Sequence, residues 1–444
     1  MENLEQPTWI ERLNDSLSRS VTVKLISVTF LVLLLLIPQS MITSLIRERE
    51  GNMQDVMTDI SGKWSGSQQV AGPVLVIPYH YNVVSDNGKV TRFKKYAFFL
   101  PDTLEIESRV TPEKRYRGIY SIIVYKSEIS LSGVYPRPDF ASMGIAEQDV
   151  LWSEAAVQIG ISDLRGIVDN VQIDWDSRKY GFSPGNTNKE LIPSGISANI
   201  AGLAGGHSGG RFSIHLALKG SENLWFLPFG KETQARVSST WNTPSFTGAF
   251  LPDQREVNND GFNATWKILH FNRNYPQQWA DQVQSWSDSA FGINFLIPAD
   301  HYLKSLRSSK YSILVIALTF LVFFLIEIIN NQKIHPVQYV LVGMALTLFY
   351  VMLLSISEHI GFNPAYIIAS VLVISMIFLY SRTIVDNNRV ALLMLLFLIV
   401  NYGFIYIIIQ LESYSLLVGS IGLFVALAVT MYVSRKVKWY GRKE

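Results

Sequence analysis

Glu358 and His359 stand side by side in SEHIGFNP, residues 357–364, between two long apolar runs, and Glu327 falls near the end of another. A carboxylate beside an imidazole can pass protons near neutral pH, and a charge in an apolar run is a functional candidate because taking it out of water is costly. With Asp386, Glu412 and His335, these are the acidic residues and histidines in or near the C-terminal apolar segments. Placement tempers the chemistry. Glu327 lies in the last turn of its run, within reach of water or Lys333, and Asp386 shares a loop with Arg382 and Arg389. Glu358 and His359 fall in a short turn that Gly361 and Pro364 close, so a solvated turn outweighs a proton- or substrate-handling pair.

A second chemistry is suggested by Gly206-His207-Ser208-Gly209-Gly210, which has the G-x-S-x-G spacing of a hydrolase nucleophile elbow. That motif works when a strand-to-helix turn lifts the serine above a parallel sheet. Here a strand pattern follows instead, so the glycines read as a flexible hairpin loop and no hydrolase is expected. The seven histidines, His80, His207, His215, His270, His301, His335 and His359, show none of the spacings that build a zinc site. No catalytic, cofactor-binding or metal site is expected, and no cofactor. Cysteine is absent, which excludes disulfides and thiolate chemistry and suits an oxidising, extracytoplasmic setting.

The elements around these residues are of two kinds. Of 444 residues 48% are apolar and only 17% charged, outside the usual range for a soluble protein. The charges are concentrated in residues 47–305, which carry 25 Lys/Arg and 27 Asp/Glu, whereas residues 311–433 have few. A net charge of +2 leaves no basic footprint for nucleic acid. Crossing the hydrocarbon takes roughly 20 apolar residues in a helix. Six segments qualify: 25–46, 311–329, 337–356, 365–380, 390–409 and 414–433. The lipid bilayer is therefore one partner.

Lys and Arg in short flanks set the orientation. With the N-terminus inside, the inner segments hold Arg12, Arg19, Lys24, Lys333, Arg382, Arg389, Arg435, Lys436, Lys438, Arg442 and Lys443, and the outer loops 357–364 and 410–413 hold none. Arg47, Arg49, Lys304, Arg307 and Lys310 dissent, but they border a long domain, which translocates regardless of charge. The expectation is a multi-pass membrane protein with both termini cytoplasmic. The first span is read as uncleaved, because it reaches full length and no small-x-small site follows. Residues 1–24 read as a cytoplasmic amphipathic segment on Trp9, Ile10, Leu13, Leu17 and Val21, and 434–444 as a basic cytoplasmic tail.

Between 47 and 305 the period is two. Leu104, Ile106 and Val110 point one way while Glu105, Glu107 and Arg109 point the other, and the alternation returns at 171–175, 212–218 and 262–268. The predicted fold is an α+β membrane protein. Six transmembrane α-helices, one N-terminal (25–46) and five C-terminal (306–433), flank a large, mostly antiparallel, sandwich-like β domain that is extracytoplasmic. Ile46, Met53, Val56, Met57 and Ile60 extend the first span as an amphipathic stalk, and 276–290 is a weaker helix candidate. The domain's tryptophans could stack on glycans, but alternation places several in its core.

The stretches TWNTPSFTGAFLPDQREVNNDGFNATW (240–266), PADHYLKSLRSSKYSILVIALTFLVFFLIE (298–327) and HPVQYVLVGMALTLFYVMLLSISEHIGFNPAYIIAS (335–370), with AGPVLVIPY (71–79) and YRGIYSIIVY (116–125), resemble the CreD family of bacterial inner-membrane proteins over essentially the whole chain. That resemblance implies an envelope-stress protein linked to colicin tolerance and envelope integrity, and it brings no catalytic residues. The favoured reading is a non-enzymatic membrane protein whose periplasmic domain binds or organises envelope components. The alternative is a transporter or channel for a small envelope-related solute, in which Glu327, Glu358 and His359 would serve.

Overall fold

The computed structural model describes residues 21–84, 86, 90–185, 194–200, 209–280, 286–295, 300–330, 334–384, 387–411 and 414–435. The amphipathic segment ahead of residue 21, Ser208 and His207, Lys333, Asp386, Glu412 and the tail from residue 436 lie outside them. The chain forms two compact units, Met1–Met53 with Pro298–Glu444, and Gln54–Ile297.

The first unit is helical. Helix α1 runs Val21–Trp64 and α2 Asp300–Lys310; α3 to α7 are Ser312–Ile329, Pro336–Ile360, Phe362–Ile384, Asn388–Gln410 and Ser415–Ser434. All but α2 are long and apolar enough to cross a membrane. At 44 residues α1 is about 66 Å long, twice the hydrocarbon thickness, so the predicted span and stalk are one unbroken helix. Short polar contacts link it to α2, where the Gln39 amide donates to Ser309 Oγ at 2.8 Å and Thr43 Oγ1 lies 2.7 Å from the same oxygen. His335 caps α4: its Nδ1 accepts the Val337 N–H at 3.3 Å, Gln338 Oε1 accepts the His335 N–H at 2.9 Å, and Pro336 stands where a helix needs no N–H.

The turn expected at 357–364 is shorter than predicted. Helix continues through Ile360 and resumes at Phe362, leaving Gly361 alone to reverse the chain at φ 81°. Only glycine adopts that backbone freely, and Pro364 is tolerated because the first helical turn has no partner for its missing N–H.

The second unit is built from strands: β1 Gln68–Val84, β2 Val90–Phe99, β3 Thr103–Arg117, β4 Tyr120–Val134, β5 Ala156–Ile161, β6 Gln172–Trp175, β7 Arg178–Gly181, β8 Ser183–Pro184, β9 Gly195–Asn199, β10 Arg211–Ser221, β11 Asn223–Phe226, β12 Glu232–Ser239, β13 Ser245–Gly248, β14 Gln254–Asn258, β15 Gly261–Leu269, β16 Gln278–Ala280 and β17 Phe291–Asn294. One sheet runs β13-β17-β11-β1-β5-β9-β8, with β2 and β16 joined at β1; the other runs β14-β15-β12-β3-β4-β10-β6-β7. Pairing is antiparallel except for β1–β11 and β3–β12.

Both sheets feed one core. Leu104, Ile106 and Val110 of β3, Phe212 to Leu218 at alternate positions of β10, and Phe262, Ala264, Trp266 and Ile268 of β15 all enter it, as the period of two requires. So do the tryptophans: Trp175, Trp266 and Trp279 are buried, and Trp152, Trp225, Trp241 and Trp286 pack against the same cluster. Among the described residues of 276–290 there is no α-helix. Residues 278–280 form strand β16, pairing with β2, and Trp279 stacks on Phe98 with ring centroids 5.3 Å apart. Burying that ring against a sheet edge outweighs a weak helical period.

Candidate functional site

The outward face of the second sheet carries a grouping of polar side chains. Its rows are set by register. Thr265 of β15, Arg236 of β12, Glu107 of β3, Ser130 of β4 and His215 of β10 are successive cross-strand partners, and beside them run Asn263, Ser238, Arg109 and Glu128. These residues line a cavity of about 540 Å³. They point outward because their neighbours in sequence, Ile106, Ile129, Leu216, Val237 and Ala264, fill the core. Two Arg and two Glu balance, so the face is polar without strong net charge.

The contacts on this face are open ones. Arg236 Nη1 lies 3.4 Å from Glu107 Oε1, with both side chains about two-thirds exposed, so the pair is a weak restraint. Ser130 Oγ lies 3.3 Å from His215 Nδ1. A serine beside an imidazole is half of a nucleophile arrangement. Here both residues sit on strands paired on both sides, so the surrounding backbone N–H groups are committed to the ladder and do not form an oxyanion site. At the edge of the face Glu232 is held below its ordinary range, first by the Gln234 amide at 2.9 Å and then by Lys267 at 3.0 Å.

The three candidates on the helical unit, Glu327, Glu358 and His359, do not converge. Glu327, 3% exposed, accepts a charged hydrogen bond from Lys24 Nζ at 2.6 Å and another from Tyr339 Oη at 2.8 Å. Glu358 accepts from Tyr302 Oη at 3.0 Å, while the exposed His359 turns to the Ser355 carbonyl on its own helix, 3.0 Å away. Tyr339 and Glu358 are 19 residues apart on α4, about 28 Å along its axis. Each acid therefore has its own tyrosine donor, at opposite ends of one helix.

Sequence position offers Glu327 water or Lys333, which lies outside the described residues; the structure supplies Lys24. The signal was available. Lys24 opens the first span and Glu327 closes the second, so two antiparallel crossings bring them to the same depth. For the polar face, Glu107 and Arg109 were legible as outward-facing, whereas the strand order that adds Arg236 and His215 was not. Among the described residues no three His, Cys, Asp or Glu side chains gather as a metal site.

The comparisons agree with this architecture. A family model described as "Inner membrane protein CreD" matches residues 20–440. The protein of that name from Escherichia coli (strain K12) is 33% identical over 425 residues, covering 94% of this chain and 93% of its own length. A match of that span, together with six apolar helices around a sheet-rich unit, shows that the chain belongs to the CreD family of inner-membrane proteins.

Proposed function

We propose that this inner-membrane protein is non-enzymatic and contributes to envelope integrity and stress response, with its β unit in the periplasm binding or organising envelope components. The observation that carries the reading is the outward cavity of about 540 Å³ bounded by Arg109, Arg236, Glu107, Glu128 and His215. Convergent polar groups of both signs, without an activated nucleophile or an oxyanion site, suit recognition of a polar partner better than turnover. The basic residues in the short flanks support the periplasmic assignment. Transport through the C-terminal helices would need a polar path. The two cavities described against those helices, one of them also walled by Pro38, Met41 and Ile42 of α1, are lined mainly by apolar side chains, and Glu327 is already engaged by Lys24 and Tyr339.

Two measurements test this. The chain has no cysteine, so Ser238→Cys and Asp260→Cys each supply a single label site. A membrane-impermeant maleimide should label both in intact spheroplasts; labelling only after lysis would overturn the assignment. Full-length protein extracted gently should retain a glycan, lipid or protein that the Arg109→Ala, Arg236→Ala double variant releases. Equal retention by both proteins would remove the face from the function.

A further inference from the structure

A groove of about 790 Å³ lies between α3, α6 and α7, within the range of roughly 300–1,000 Å³ typical of small-molecule sites. Its walls are mainly apolar, with Leu318 and Val322 from α3, Phe397 and Phe404 from α6, and Ala426 from α7. Asn401 breaks the pattern. It lines the groove, is 4% exposed, and neither its amide nitrogen nor its amide oxygen has a hydrogen-bond partner. It stands 13 residues after the start of α6 and 9 before its end, hence about 20 Å and 14 Å from the two ends, near the middle of the hydrocarbon. An unpaired amide at that depth is costly, since no bulk water is there to satisfy it.

The third wall is lightly held. No residue of α7 is buried. It passes close to α6 at Gly422, where a Cβ would run into the Phe404 ring. A groove closed by such a helix can admit a molecule from the bilayer. A charged headgroup would find no counter-charge among the lining residues, whereas a neutral group that both donates and accepts would complete Asn401.

We propose that this groove binds a long-chain amphiphile whose uncharged hydroxyl accepts from Asn401 Nδ2 and donates to Oδ1, with the hydrocarbon chain lying against α3 and α7. The site is independent of the outward face of the β unit.

Full-length protein in lipid nanodiscs, irradiated with a diazirine-bearing hexadecanol, tests it. Adducts should map to α3, α6 and α7, and unlabelled hexadecanol should suppress them at least about three- to tenfold more effectively than hexadecane, the difference that either one of the two hydrogen bonds makes. Asn401→Leu, an apolar replacement of similar size, should abolish that discrimination, and Ala426→Trp should reduce the labelling by filling the groove. Equal competition by hexadecane, discrimination surviving in Asn401→Leu, or adducts mapping elsewhere would overturn the proposal. So would efficient disulfide cross-linking of an Ala426→Cys variant into dimers, which would assign the groove to a second copy of the chain.

Discussion

Glu327 is almost completely removed from solvent and is compensated twice, by the Lys24 ammonium and the Tyr339 hydroxyl. Removing one member of such a pair leaves the other charge uncompensated. Glu327→Gln should lower stability by about 3 kcal/mol, the low end for a broken buried pair, because Lys24 keeps 19% of its side chain exposed and can lean toward water. Thermal unfolding in detergent would show it. The Lys24→Met, Glu327→Gln double variant should recover much of the loss, and a single variant as stable as the parent would mean the pair is not closed. Asp163, partly buried in the β unit, makes a pH-dependent contribution. Its carboxylate accepts from Arg165, whose side chain gives the largest effect, and from the Gly66 N–H at 3.0 Å, which together hold it well below the usual carboxylate range. A lowered folded-state pKa means that the stabilisation is fully present above the ordinary carboxylate value and fades as pH falls through the folded one. Asp163→Asn should therefore destabilise the β unit at neutral pH and approach the parent at strongly acidic pH, as denaturant midpoints across pH would register.

Among elements, β10 separates the two faces of its sheet most cleanly. Leu216 is completely buried while His215, its neighbour, points outward. Leu216→Ala should cost about 2–5 kcal/mol through lost burial and a residual cavity. His215→Ala should change stability by no more than about 0.5 kcal/mol. Urea unfolding of the two variants compares them directly, and comparable losses would refute the assigned alternation. On the helical side, Gly422→Leu forces a branched side chain into the Phe404 ring. Overpacking of this kind costs about 1–3 kcal/mol. With no buried residue of its own, α7 should yield before α6 does, so cysteine cross-links between them should weaken while the rest of the helical unit keeps its thermal stability.

At the scale of the molecule, the two units have separate cores and different solvents. The β unit owns eight of the ten tryptophans, counted from Trp64 to Trp286. Guanidinium titration of the detergent-solubilised protein should therefore give two transitions, tryptophan fluorescence falling before the helical dichroism. A single coincident transition would show that the units unfold as one.

The sequence alone determined what depends on local periodicity and composition. Six apolar runs of spanning length and the period of two at 104–110, 212–218 and 262–268 are set by each residue's preference for oil, water or a backbone angle, so neighbours in the chain suffice to reveal them. Tertiary structure decided what depends on register between distant strands and depth between distant helices. Only pairing places Arg236 beside Glu107 and His215 beside Ser130, 85 residues away along the chain. Only packing gives Glu327 to Lys24, 303 residues upstream, and leaves the Asn401 amide buried and unpaired beside an apolar groove. Burial of Trp279 also turned a faintly helical stretch into an edge strand, because the free energy of covering a large ring exceeds the small propensity differences a sequence pattern can display.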